Sequence, residues 1–341
     1  MSKIRSSNSK LQWLYDVRTD KNLMRLLLIL VFVFILMSIL KTDLFLTSNN
    51  FISMAKQFPE YGLLAIAISI AMITGGIDLS VVAIANLSAI LTAKFLLVAM
   101  PSDGNGLYIC AAVAIAILVG AIAGCINGIL ISKFKITAIL ATLGTFQLFS
   151  GIAVVLTEGK SISGLPNAFL TIGNAYMFGV IPIPLIIFAI LAIFIGFLLS
   201  KTTYGIQVYL YGTNEKAAHF SGLNNGWIII RTYMLGGILS AVAGLIMMAK
   251  TNSINPDYGS EYTLQCILIA VLGGINPKGG FGNIPGIVVA ILILQILSSG
   301  LNMFPNISNF YRDIIWGAVL IFVLIFNYYI FKRNQKLQIG N

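Results

Sequence analysis

Charge is what this sequence has least of: 9% of its 341 residues are Asp, Glu, Lys or Arg. Soluble domains carry roughly 25%, so a water-exposed globule is excluded, and a mean hydropathy of +0.94 points to a membrane instead. Histidine is scarcer still. His219 is the only one, and no cysteine or carboxylate cluster accompanies it, which argues against a metal site or a histidine-based catalytic relay and for an exposed or partner-facing side chain. Cys110, Cys125 and Cys266 lie in apolar runs without CxxC spacing, so buried, reduced thiols are expected. A phosphate-binding loop is missing too. Gly159-Lys160-Ser161 comes nearest, but the motif needs glycine five positions earlier, where Val154 stands. Intramembrane carboxylates are few, with Asp78 nearly alone, which weighs against an ion-coupled secondary carrier. No nucleophile–base pair is in view, which weighs against a membrane enzyme. A chain with no engine of its own needs an energy source elsewhere.

What the sequence does have is apolar runs, at about 23–40, 61–77, 79–100, 107–132, 136–156, 183–200, 229–249, 263–275, 284–301 and 313–331. Most reach the ~17–25 residues that cross a hydrocarbon core, and the 263–275 run is short. The expectation is an all-α integral membrane protein of about ten transmembrane helices. The first run is longer than a signal-peptide core, and Lys41-Thr42-Asp43 follows it without a small-x-small cleavage site, so it reads as an uncleaved span. Of the 21 basic residues, only Lys41, Lys56, Lys94, Lys160, Lys250 and Arg312 fall on one side; the rest fall on the other. That bias makes the richer side cytoplasmic and puts both termini there. The net charge of +10 is thus a topology signal, and nucleic acid is not an expected partner. Residues 1–22 read as a cytoplasmic N-terminal tail, 23–331 as the transmembrane domain and 332–341 as a cytoplasmic C-terminal tail.

Within the runs a few positions carry polar or breaking character. Thr74-Gly75-Gly76-Ile77-Asp78 resembles Leu272-Gly273-Gly274-Ile275-Asn276, and both close an apolar run on the same side. Glycine pairs of this kind predict broken helices near Gly75-Gly76 and Gly273-Gly274, with freed backbone that must be buried in protein or line a cavity. Asp78 has two readings: it shapes a break beside a permeation path, or it sits at the inner interface and caps the next helix with Ser80. Gly120, Gly124 and Gly128 form a row that invites close helix packing, echoed by Gly236, Ser240 and Gly244. Asn127, beside that row, either bonds across helices or faces a pore. Thr137, Thr142, Thr145 and Gln147 either line a cavity for a hydroxylated ligand or, for the threonines, bond back to their own helix. Thr74, Gly75, Gly76, Asp78, Asn127, Thr142, Gly144, Gly273 and Gly274 are the candidate translocation-pathway residues.

One segment is out of character for an oily chain. Residues 212–225 read GTNEKAAHFSGLNN and fall on the cytoplasmic side. Thr213 or Asn214 can cap a two-turn helix and Gly222 can end it, with Ala217, Phe220 and Ser221 on one side. So short a helix does not persist alone in water and has to lean on something. It reads either as a linker at the interface or as a surface fitted to a partner's groove.

The stretches ITGGIDLS (73–80), KITAILATLGT (135–145), YGTNEKAAHFSGLN (211–224) and EYTLQCILIAVLGGINPKGGFGNIPG (261–286) together resemble the permease subunits of bacterial ribose-type ABC importers, from roughly 60 to 325. The resemblance implies a non-catalytic subunit of the bacterial cytoplasmic (inner) membrane that passes a small neutral sugar, ribose-like or a related furanosyl compound, into the cell. It implies a second permease copy or paralogue, ABC ATPase subunits that hold the ATP and Mg, and an extracytoplasmic sugar-binding protein; no cofactor belongs to this chain. It further implies that 212–223 is the coupling helix, with Gly212, Asn214, Glu215, Ala217, Ala218, Ser221 and Gly222 at the patterned positions. Two departures stand out: Val81-Val82-Ala83 replaces the glycine usual after IDLS, and His219 stands where Arg is common. A nucleoside or branched-chain amino acid ABC permease is the alternative within the superfamily, and a stand-alone secondary carrier is the alternative outside it.

Overall fold

The apolar runs fold as helices. The structure, a computed structural model, describes residues 21–99 and 106–304, with scattered helical positions between 314 and 325. In chain order the helices are α1 (Lys21–Leu40), α2 (Thr42–Phe45), α3 (Ser48–Ile73), α4 (Val81–Ala99), α5 (Gly106–Ser132), α6 (Ala138–Thr157), α7 (Asn167–Asn174), α8 (Ile183–Lys201), α9 (Thr203–Thr213), α10 (Glu215–Phe220), α11 (Asn225–Thr251), α12 (Tyr262–Leu272) and α13 (Ile284–Leu301). Among the described residues seven helices are long and apolar enough to cross a membrane: α1, α4, α5, α6, α8, α11 and α13. The 26-residue α3 is longer than most of these but carries Lys56, Pro59 and Glu60 in its first half. The run at 313–331 and the tails at 1–20 and 332–341 lie largely or wholly outside the described residues.

The core is organised around α11, which touches α3, α4 and α5. The glycine row on α5 explains how α11 comes so close. A side chain at Gly120 would strike the Gly237 carbonyl, one at Gly124 the Tyr233 carbonyl, and one at Gly128 the Ile230 backbone. On α11 the glycine facing α5 is Gly237 rather than Gly236, while Gly244 meets the Ala85 carbonyl of α4. Hydrogen-bonded backbones approached this closely gain dispersion contact that bulkier side chains would forfeit. Outside this core, α5, α6 and α8 keep much of their surface open, as lipid-facing helices do. The cysteine expectation is corrected on the same ground: Cys110 is exposed, Cys125 half-buried, and only Cys266 buried. In a bilayer protein an apolar position faces lipid as readily as protein, so apolar sequence does not imply interior.

Two helical hairpins frame the site. In the first, α3 runs into a break at 74–80 and α4 returns; in the second, α12 runs into a break at 273–283 and α13 returns. Both breaks begin with the same capping geometry. The Gly76 N–H reaches the Ala71 carbonyl as the Ile275 N–H reaches the Ala270 carbonyl, and Gly75 (φ 83°) corresponds to Gly274 (φ 92°). Left-handed backbone at this position is the usual glycine helix stop. Structural equivalence therefore pairs Gly75 with Gly274, one residue away from the pairing the sequence echo suggests.

The short 263–275 run has a structural cause. The connection from α11 to α12 folds back into the protein, so that the Asn86 side-chain amide of α4 donates to the carbonyls of Pro256 (2.9 Å) and Tyr258 (3.0 Å). The 11-residue α12 thus begins part-way into the core and needs only about 16 Å to reach its break. Such a re-entrant backbone is tolerated because protein groups, not lipid, satisfy it. The fold is the expected all-α one, with two minimal strand pairs in its connections: β1 (Ile162–Ser163) pairs with β4 (Ser253–Ile254), and β2 (Tyr176–Met177) with β3 (Ile181–Pro182). Apart from these strands, residues 157–182 hold the short helix α7, clamped to the end of α11 by Asn174 donating to the Ala249 carbonyl at 2.9 Å.

Candidate functional site

The site is built where the two breaks meet the end of α9. Asn214 ends α9 and caps α10, its side-chain oxygen accepting the Ala217 N–H at 3.0 Å. Gly222, at φ 80°, follows α10 and turns the chain toward α11. The cap and stop are those expected from the sequence, and α10 spans Glu215–Phe220. What it leans on is Ala218, its one buried residue. Ala217, Ser221, Glu215 and Lys216 are exposed, as is His219, and Phe220 stands 88% exposed. The helix is held at its flanks: the Asn225 amide donates to the Glu215 carbonyl at 2.9 Å, and Lys135 pairs with Glu215 at 3.6 Å. With both partners exposed, that ion pair is worth at most about 1 kcal/mol. Burial, helped by the Glu215 carboxylate that it hydrogen-bonds, pushes the Tyr211 hydroxyl up to about 12, so it stays neutral.

Gly212 sits one turn back, at a place where three backbones converge. A side chain there would collide with the Ile73 carbonyl at the end of α3, and with the Gly280 N–H at 2.6 Å. Gly280 itself donates to the Ile73 carbonyl at 2.8 Å. Gly279 lies against both the Gly212 carbonyl and Gly75, where an added Cβ would stand 2.7 and 2.8 Å from their backbone atoms. Tyr209 of α9 reaches the same loop, its hydroxyl donating to the Gly282 carbonyl at 2.7 Å.

The first break is fastened from its other side by a polar chain. Asp78, 1% exposed, accepts the Ser80 N–H at 2.9 Å and the Ser80 hydroxyl at 2.6 Å on one carboxylate oxygen. Asn127 of α5 donates to that hydroxyl oxygen at 2.7 Å. Thr142 of α6 donates to its own Ala138 carbonyl at 2.8 Å and accepts the Leu79 N–H at 3.2 Å. Asp78 therefore shapes a local turn that presents Ser80, and the Ser80 carbonyl starts α4. Asn127 bonds across helices, and Thr142 serves both its own helix and the break. Gly76 fits under the Tyr233 hydroxyl and Ala138, and Thr74 is buried at the end of α3. Asp78, Asn127, Thr142, Thr74, Gly75 and Gly76 are thus one assembly. The second break holds Gly273 against Ile287 and Gly274 beneath the Asn22 side chain. Gly144 is not among them: with Gln147 it lies on the open face of α6 with nothing near it.

A second polar centre escapes sequence reasoning. Glu60 of α3, 2% exposed, pairs with Lys250 at the end of α11 (2.7 Å), and the Tyr262 hydroxyl at the start of α12 donates to its other oxygen at 3.0 Å. The one available hint is Glu60 standing at the edge of an apolar run beside Pro59; its partners are some 190 and 200 residues away and carry no local signal.

Comparison with known proteins identifies the family. Residues 50–324 match a family described as the permease component of branched-chain amino acid transport systems. The chain is 36% identical to the ribose import permease protein RbsC of Bacillus subtilis (strain 168) over 293 residues, 85% of this chain and 88% of that protein. It is 32% identical to RbsC of Escherichia coli (strain K12) over 321 residues, 92% and 94% of the two chains. It is 36% identical to the L-arabinose transport system permease protein AraH of Escherichia coli (strain K12) over 211 residues, 62% and 63%. No solved structure matches. A multi-pass protein of the bacterial cytoplasmic membrane, the chain belongs to the ABC-importer permease family, among its ribose-type members.

Proposed function

We propose that the chain is the membrane-spanning subunit of an ATP-driven importer that passes a small neutral sugar, ribose-like or a related furanosyl compound, from a binding protein into the cytoplasm. The observation that carries this reading is the exposed α10, capped by Asn214 and joined through Gly212 to the ends of both helical breaks. A partner that grips Ala217, Phe220 and Ser221 there holds a handle on the whole inner end of the bundle. Two ABC ATPase subunits, which bind the ATP and Mg, take that role, and a second permease copy or paralogue completes the pathway. The binding protein docks on the outer surface that includes 157–182. Closure of the ATPases draws the 212–223 segments together, the hairpins tilt, and the cavity changes sides, with both chain termini remaining in the cytoplasm. Similarity to permeases named for ribose and L-arabinose supports a pentose-like cargo. An amino acid would bring a carboxylate and an ammonium, whereas the one buried carboxylate at the first break, Asp78, is already engaged by Ser80.

The test is reconstitution with ATPase and binding protein in vesicles, reading labelled ribose uptake with ATP inside or outside and with competing arabinose, allose or leucine. Uptake that requires ATP on the cytoplasmic face and yields to sugars is the expected result. Uphill uptake by the chain alone, collapsing with an ion gradient, would select a secondary carrier; competition by leucine alone would select an amino acid permease.

A further inference from the structure

We infer that α9 and α10 act as one rigid lever whose load is delivered to both helical breaks at a single backbone junction, with Tyr209 as the residue that positions the second break on that lever. The inference rests on the proposed ATP-driven function and names how the push is relayed.

The geometry is unusually direct. Between α9 and α10 stands one residue, Asn214, bonded to both: its N–H reaches the Leu210 carbonyl at 3.1 Å and its side chain holds Ala217. No flexible linker separates the handle from α9, so tilting α10 moves Gly212. Gly212 is in backbone contact with Ile73, the last residue of α3, and its carbonyl is pressed on Gly279 of the second break. Gly279 in turn touches Gly75 of the first break, and the Gly280 N–H donates to the Ile73 carbonyl. Each of the three strands of backbone therefore touches the other two. Close-packed backbone has little slack and passes displacement on, which side chains able to change rotamer would absorb. Glycine is required at Gly279 twice over: φ is 87°, and any Cβ would enter the Gly212 and Gly75 backbones. The Tyr209–Gly282 bond adds a strut one turn up α9, so the second break is held at two points and follows the rotation of α9 as well as its translation. α9 has another hydroxyl tie, Tyr204 with Thr232 at 2.8 Å, but that bond runs to α11 and not to either break.

This contrast supplies the experiment. Tyr209→Phe and Tyr204→Phe each remove one hydroxyl from α9, and only the first is on the relay. In vesicles with ATPase and binding protein, sugar transported per ATP hydrolysed is measured beside the ATPase rate. Tyr209→Phe lowers that ratio about fivefold, the population factor that goes with one ordinary hydrogen bond, while hydrolysis continues; Tyr204→Phe leaves it unchanged. Gly279→Ala lowers it further. Spin labels at Lys216→Cys and Lys278→Cys, in a chain whose three native cysteines are replaced, read rigidity directly: their separation stays constant between nucleotide-free and ATP-bound states. The inference is overturned if both tyrosine variants couple normally, if both lose coupling equally, or if the label separation changes between states. Should the unaltered complex show no ATP-dependent uptake, the functional reading itself fails and the relay with it.

Discussion

The Glu60–Lys250–Tyr262 centre makes the sharpest quantitative prediction. At 2.7 Å and an effective dielectric constant near 20, the ion pair attracts by about 6 kcal/mol. Against this stands the desolvation of each ion, several kcal/mol in practice. The pair as a whole is therefore close to neutral for stability, while each half without the other is not. The halves also differ. Glu60 is 2% exposed and cannot reach water; the Lys250 side chain is 18% exposed, and its long stem can carry the ammonium outward. Lys250→Met, which strands the carboxylate, is expected to cost about 3–5 kcal/mol. Glu60→Gln, which keeps an acceptor for Tyr262, is expected to cost about 1–2 kcal/mol. The double variant should return to within about 1 kcal/mol of the parent. Thermal unfolding of detergent-purified protein, followed by intrinsic fluorescence, gives the order: parent and double variant highest, Glu60→Gln below, Lys250→Met lowest. Lys250→Met melting with the parent would refute the assignment of a buried, mutually dependent pair. A double variant less stable than either single one would refute the bookkeeping behind it.

Other perturbations separate the packing, break and coupling roles. Gly120→Ala drives a methyl into the Gly237 carbonyl and should cost about 1–3 kcal/mol, seen as a lower melting temperature, whereas Gly144→Ala, with open space around it, should leave stability within about 0.5 kcal/mol. Asp78→Asn keeps an acceptor for Ser80 and should retain most uptake, while Asp78→Ala leaves the Ser80 N–H unpaired and should lose about 1–3 kcal/mol. Lost uptake in Asp78→Asn at normal protein level and melting temperature would instead assign the carboxylate to the substrate. Bulky residues at Glu215 or Gly222 should abolish ATP-linked uptake without lowering the amount of protein in the membrane; normal transport in such variants would remove 212–223 from the coupling role.

What the sequence made legible was whatever is local. Apolar run length placed the seven spanning-length helices of the described residues, out of about ten expected, and Asn214 and Gly222 delimited α10 because a cap and a left-handed stop are decided within a few residues. The glycine row on α5 announced a close neighbour, but not that the neighbour was α11 at Gly237, since a packing partner is a long-range fact. α9 was not legible because Ile206, Val208 and Leu210, set among its tyrosines and glycines, form no strong apolar stripe, and the Tyr209 tie to the second break is long-range. Cys110 misled for a different reason, that lipid and protein interior are equally apolar solvents for a thiol. That Gly144 lies apart from the break residues was not legible, because an exposed and a cavity-lining glycine read alike in one dimension.

The two hairpins share a helix stop and then diverge in how their first helices are held. α3 runs 26 residues from Ser48 to its break, but α12 has 11 residues and hangs from the re-entrant segment that Asn86 holds. The start of α12 is thus pinned inside the protein, at Tyr262 to Glu60 of α3, while the break that follows α12 meets α3 again through Gly280 and Ile73. The unit made of α12 and the break after it is thus tied to the Glu60–Ile73 part of α3 at two points. Pro59 sits beside the Glu60 attachment and removes one helical hydrogen bond there.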